Sequence, residues 1–166
     1  MSTPGFTGGE KFKQHMDAII GSMAGGDLEV GFMENSTCGR GNTAHAPSVA
    51  FWNEYGTTNK EGGVHIPARP FFRTAIARHS PRWGQLIAII MKNTKFHYSK
   101  TLHQLGMVIV SQIQQQIEET TEPPNAEATV GTTGKARRKN KRGKGFNKPL
   151  EDSKNMKRAV NYRIAQ

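Results

Sequence analysis

Six histidines and a single cysteine are the side chains best suited to metal binding or nucleophilic chemistry, and their spacing decides what they can do. The histidines are His15, His45, His65, His79, His97 and His103. No two form a His-x-x-x-His pair, and no carboxylate cluster accompanies them, so the ligand pattern of a zinc centre is missing. His79 and His97 are expected on helix surfaces; His45, His65 and Cys38 are the first ligands to inspect should a metal bind. Cys38 stands beside Gly39 and Arg40, where a nearby cation favours the thiolate, but with no second cysteine it cannot form an intramolecular disulfide. A passive loop cysteine is the expectation. Glu54 has no neighbouring carboxylate to share acid–base work. Gly131-Thr132-Thr133-Gly134-Lys135 fails as a phosphate-binding loop, because position 129 is Thr, position 136 is Ala and no strand precedes it. The expectation is a chain with no catalytic, cofactor or metal site, and therefore not an enzyme.

One constellation remains, and it is electrostatic. Lys135, Arg137, Arg138, Lys139, Lys141, Arg142, Lys144 and Lys148 fall within fourteen residues that contain no acid. The whole chain carries a net charge of +10, so removing these eight leaves +2 for everything else. Gly143, Gly145, Asn140 and Asn147 are interleaved with the cations, which describes a flexible polycation. Such a segment contacts nucleic acid through phosphates without reading bases, and its affinity falls steeply with salt. Phe146 alone offers a stacking surface, too little for single-strand recognition. Two readings stay open: a polyanion contact, with an acidic protein surface serving as well as DNA, or a solvated loop extended by self-repulsion.

The elements that must position these groups are organised around Val49 to Ile76. Val49-Ala50-Phe51-Trp52-Asn53-Glu54-Tyr55-Gly56-Thr57 leads through a polar, glycine-bearing spacer (57–63) to Val64-His65-Ile66-Pro67-Ala68-Arg69-Pro70-Phe71-Phe72-Arg73. Ser48 to Tyr55 reads as a helix ending at Gly56, since glycine tolerates a left-handed cap. Pro67 and Pro70 hold their preceding residues extended, and Pro70 is placed to open a helix, whose first turn has spare N–H groups. A rigid arm over Ile66 to Phe72 follows. Phe51 and one of the adjacent Phe71 and Phe72 are expected in the core. Trp52, Tyr55, Arg69, Phe71, Phe72 and Arg73 supply the candidates for a subunit or partner interface, where aromatics and arginine are enriched.

Around that block, Phe12, Met16, Ile19, Ile20 and Met23 trace one helical face over Glu10 to Met23. Asp27 to Met33 alternates as a half-buried strand with Leu28, Val30 and Phe32 inward, and Asn35 to Asn42 reads as a loop or hairpin tip. Phe71 to Asn93 is helical, with a possible bend at Ser80-Pro81. Tyr98 to Glu119 is the longest helix, with a stripe of Leu102, Leu105, Ile109, Ile113 and Ile117, stopped by Pro123-Pro124. Asn125 to Val130 can add a turn, Gly131 to Asn147 is loop, Glu151 to Arg158 suits a short helix, and Ala159 to Ile164 alternates as a closing strand. That strand's natural partner is Leu28 to Met33, because an unpaired strand leaves its backbone groups unsatisfied. The expected fold is α+β: one domain over 1–166 with a flexible start (1–9), a long basic loop (131–148), and a small, mainly antiparallel sheet packed on the Glu10 and Tyr98 helices.

Size and composition are consistent with that. A chain of 166 residues suits a single core. Its 35% hydrophobic content and mean hydropathy of −0.63 are low, which points to long polar excursions or to burial completed in an assembly. No apolar run is long enough to span a bilayer, and Met1-Ser2-Thr3-Pro4-Gly5 lacks the blocks of a secretory signal. An intracellular product is expected, in which the Asn35-Ser36-Thr37 sequon is a chance match. No internal repeat is visible.

The same residues carry a resemblance. Asn53-Glu54-Tyr55-Gly56-Thr57 followed by Ile66-Pro67-Ala68-Arg69-Pro70-Phe71-Phe72-Arg73 is similar to the central signature of the tailed-phage neck and tail-completion proteins. Pro123-Pro124-Asn125-Ala126, then Asn147-Lys148-Pro149-Leu150-Glu151-Asp152 and Val160-Asn161-Tyr162-Arg163-Ile164, follow the order of that family's closing motifs. The resemblance covers the middle and the C-terminal third. It departs where Asp152 is followed by Ser153 and Lys154 in place of an Asp-Thr-Gly-like turn. It implies a structural virion protein of the neck, assembled in the host cytoplasm. That protein forms a homo-oligomeric ring, six-fold being the expected symmetry, around the DNA channel. Its implied partners are a head closure or connector protein and a tail terminator or tail tube protein, with non-specific DNA contact in the lumen and no membrane. The rigid Ile66 to Phe72 arm is then the expected reach towards a neighbour. A small DNA-binding protein working through the basic segment is the alternative.

Overall fold

A computed structural model describes residues 9–23, 26–38, 44–125, 150 and 155–165. In chain order the elements are α1 (Gly9–Met23), β1 (Asp27–Phe32), β2 (Thr37–Cys38), β3 (Ala44–His45), α2 (Ala46–Tyr55), β4 (Thr57–Thr58), β5 (Val64–Ile66), α3 (Phe71–Asn93), α4 (Tyr98–Glu119), α5 (Asn155–Arg158) and β6 (Val160–Ala165). The fold is α+β, with a small antiparallel sheet against two long helices.

Helix α4 is the spine. Leu102, Leu105, Ile109, Ile113 and Ile117, spaced at three and four, are all buried. Each such aliphatic side chain removed from water contributes about 1.5–3 kcal/mol before the entropy of ordering is subtracted. Helix α3 runs against α4 and is tied to it by Trp83 Nε1–H donating to Gln112 Oε1 at 3.0 Å and by Arg78 pairing with Glu119 at 2.5 Å. The two helices meet in a tight turn where Lys95 (φ 53°) and Phe96 (φ 61°) both adopt the left-handed conformation without being glycine. Phe96 N–H closes that turn onto Met91 O at 2.7 Å, and the Thr94 and Thr101 hydroxyls bond at 2.8 Å.

Strand β1 pairs antiparallel with β6 over the full length of both, from Asp27 opposite Ala165 to Phe32 opposite Val160. The pairing expected from the two alternating segments is therefore present, and Leu28, Val30 and Phe32 pack against the core. The sheet docks on α4 where a side chain is missing. A Cβ on Gly106 would stand 2.5 Å from Tyr162 Cδ2, so only glycine lets the Tyr162 ring lie against the helix backbone. Tyr98 Oη–H donates to Gly26 O at 2.9 Å and anchors the other end.

One expectation is corrected. The long helices under the sheet are α3 and α4, not the Glu10 helix. In α1, Phe12, Met16 and Ile20 are 67%, 38% and 59% exposed, although the element touches α4. Pro81 lies inside α3, which continues from Phe71 to Asn93 as one helix. The Gly131 to Asn147 loop, including every cation from Lys135 to Lys144, lies outside the described residues, as do the added turn beyond Asn125, the start of the Glu151 helix, and the flexible start up to residue 8.

Candidate docking site

Helix α2 has no charged residue other than Glu54 in Ala46-Pro47-Ser48-Val49-Ala50-Phe51-Trp52-Asn53-Glu54-Tyr55. Its inward face is Ala46, Ala50 and Glu54, spaced by four. Two alanines let the helix lie close to the core, and the side chain at the third position is the carboxylate. That geometry turns the aromatics outward: Phe51, Trp52 and Tyr55 are 60%, 47% and 55% exposed. Phe51 is thus not the core residue expected. It stands one position round the helix from the alanine stripe, and its ring packs on Tyr55 at 4.8 Å between centroids.

The buried Glu54 organises the next element. Its Oε2 accepts from the Phe72 N–H at 2.9 Å and its Oε1 from the Arg73 N–H at 3.2 Å. These are two of the four N–H groups a helix start leaves unpartnered, and a carboxylate there also meets the positive end of the helix dipole. Pro70, at the helix entrance, has no such side chain to offer. Arg73 completes the pairing, with Nε 2.9 Å from Glu54 Oε1 and its guanidinium carbon 4.9 Å from the centre of the Tyr55 ring.

The extended arm between β5 and α3 is fastened at each step. Gly56 (φ 77°) closes α2 where a Cβ would stand 2.8 Å from Ile66 O and 2.9 Å from Ala68 N. Arg69 N–H donates to Asn53 O at 2.7 Å. The Arg69 side chain is buried, its Nε donating to Pro123 O at 2.9 Å and its Nη2 to Pro124 O at 3.2 Å. Desolvation lowers the Arg69 pKa from its ordinary value, yet an arginine keeps its charge in proteins, so two carbonyl acceptors are what make the burial tolerable. Sequence reading identified the proline-stiffened arm; the structure adds that the arm is strapped to the segment after α4.

Of the six residues expected at an interface, two serve the interior. Phe71 is fully buried, edge-on to Phe32 at 6.1 Å, and Arg69 is buried in its carbonyl clasp. The correction has a physical cause: the first residue after Pro70 points into the core, and a guanidinium with two carbonyl acceptors beside it has no reason to extend outward. Phe72 is half-buried, whereas Trp52, Tyr55 and Arg73 are exposed. Phe51, Tyr55, Phe72 and Arg73 line an open, largely apolar pocket of about 250 Å³, floored by Ala50, Phe71 and Glu54.

The charged groups of this pocket serve its own structure. Its one carboxylate is committed to the α3 start, and its one guanidinium to that carboxylate and the Tyr55 ring. Elsewhere, His45 bonds Ser48 Oγ at 2.8 Å and Glu34 O at 2.7 Å, Cys38 is buried in β2, and His65 is exposed in β5. Among the described residues no three of His, Cys, Asp and Glu come together, and no helix is long and apolar enough to cross a membrane. Sequence reasoning missed the capping role of Glu54 and the exposure of Phe51. The signal for both was present, in the Ala-x-x-x-Ala-x-x-x-Glu spacing of a helix with no other charge.

Comparison with protein-family models, with characterised proteins and with solved structures returns no match for this chain.

Proposed function

We propose that this chain is a structural subunit of a phage neck: a ring-forming, non-enzymatic virion protein that joins the head closure complex to the tail around the DNA channel. The observation that carries this reading is the outward face of α2, aromatic and without a free charge, mounted on a scaffold that Glu54, Gly56 and Arg69 hold in place. A solvated helix face is normally polar; an aromatic face with charge excluded is what a protein interface needs at its centre. The resemblance of Asn53 to Thr57 and of Ile66 to Arg73 to the neck-protein signature supports the same reading, and those two stretches are the ones fastened together at the pocket. A head connector on one side and a tail terminator or tail tube on the other are the proposed partners, met after assembly in the host cytoplasm.

The eight cations between Lys135 and Lys148 favour a second reading, a small DNA-binding protein. The two separate experimentally. Negative-stain electron microscopy of the purified chain should show closed rings, with duplex affinity weak and salt-sensitive. Tight duplex binding by a monomer or dimer at physiological salt, without rings, would transfer the function to the basic segment.

A further inference from the structure

The subunit exposes two unlike apolar surfaces. One is a ridge: Phe12, Met16 and Ile20 stand on one side of α1, a helix of 15 residues. A helix of that length is marginal in water without tertiary support for its apolar side. The other is a hollow, the aromatic pocket of α2 and the α3 start. Taking about 150–250 Å² for a whole aromatic side chain, the exposed parts of Phe51 and Tyr55 in the pocket, together with Trp52 on α2 outside it, leave on the order of 300 Å² of surface. The α1 ridge offers a comparable amount. A stable interface buries about 800 Å² on each partner, so these patches suffice as the apolar centre of one, with a polar rim supplying the remainder.

Two different patches on one chain make a heterologous contact when copies meet, and heterologous contacts build rings where the rotation closes. We infer that the α1 ridge of one copy packs into the α2–α3 aromatic pocket of the next. Glu54 and Arg73 enter the contact already paired; Lys11 and Asp17 lie off the ridge, and Lys13, which flanks it seven residues before Ile20, can lay its aliphatic stem along the ridge with its ammonium at the rim. This inference rests on the ring reading above and names the surfaces by which the ring closes.

The test uses the full chain and two variants, Phe12→Glu on the ridge and Phe51→Glu at the pocket. Both side chains are mostly exposed, so each variant is expected to keep the far-ultraviolet circular dichroism of the unmodified protein. Each alone should be monomeric in sedimentation velocity. Mixed one to one, they should form a heterodimer and nothing larger, because only the pocket of the Phe12→Glu copy and the ridge of the Phe51→Glu copy remain intact. Rescue by mixing also excludes misfolding as the reason each variant fails alone. Rings that persist in Phe12→Glu overturn this pairing and leave the ring itself standing. A mixture that stays monomeric, while the unmodified chain forms rings, overturns the pairing as well. An unmodified chain that is monomeric at all concentrations removes both the pairing and the ring.

Discussion

Helices α1 and α4 carry the same kind of apolar repeat, spaced at three and four, yet the fold covers only one of them. In α4 the stripe from Leu102 to Ile117 is buried under the sheet, α3 and the C-terminal segment. In α1, Phe12 and Ile20 stay mostly exposed and Met16 partly so. Periodicity reports which side of a helix must be dry; it does not report whether the covering surface belongs to the same molecule. A chain with 35% hydrophobic residues can leave one such face for assembly, provided the rest of the core is well fastened. Gly106, Glu54 and Arg69 supply that fastening.

Truncation should separate the two helices most strongly. Replacing Ile113 with alanine removes a fully packed side chain from α4 and is expected to cost about 2–5 kcal/mol in chemical denaturation. A loss below about 1 kcal/mol would mean that α4 is not the spine.

The seat of the sheet on α4 is the next most sensitive point. Gly106→Ala would place a methyl group into the Tyr162 ring, and overpacking of this kind costs about 1–3 kcal/mol. Combining it with Tyr162→Ala should give a total loss smaller than the sum of the two single losses, since contacting residues couple. Additive losses would place the strain elsewhere.

A smaller effect is expected at the α3 entrance. Glu54→Ala deletes the cap on two N–H groups, and cap losses run about 0.5–2 kcal/mol. The change should also release Arg73 from its carboxylate, loosening the pocket rim. The smallest effect belongs to α1: Phe12→Ala should shift monomer stability by no more than about 0.5 kcal/mol while weakening self-association. A large loss of monomer stability there would mean that α1 is core after all.

Most of the element pattern was legible in the sequence because it rests on local chemistry. The α4 stripe, the Gly56 stop, the Pro70 start and the alternating residues of β1 and β6 each carry their own signal, and two strands in need of partners defined the sheet. What was not legible depends on tertiary placement. Nothing local marks Lys95 and Phe96 as left-handed; they adopt that conformation in the turn that joins α3 to α4. Arg69 looks like an interface arginine until the Pro123 and Pro124 carbonyls are found beside it. Phe51 looks like core until the Ala46, Ala50 and Glu54 face proves to be the inward one. At the candidate site the block itself was identified from sequence, whereas the division of its residues between internal fastening and exposed surface came only from the fold.

Hydrogen exchange on the full chain, measured in dilute monomer and again in the assembled form, tests most directly whether the uncovered faces are assembly surfaces. In the monomer, amides of α4 should be strongly protected and those of α1 should exchange quickly, because α1 has little tertiary support. On assembly, protection should rise in α1 and across Phe51 to Tyr55 while α4 changes little. Strong protection of α1 already in the monomer, or no change in α1 and α2 when rings form, would contradict the assignment of these faces to assembly.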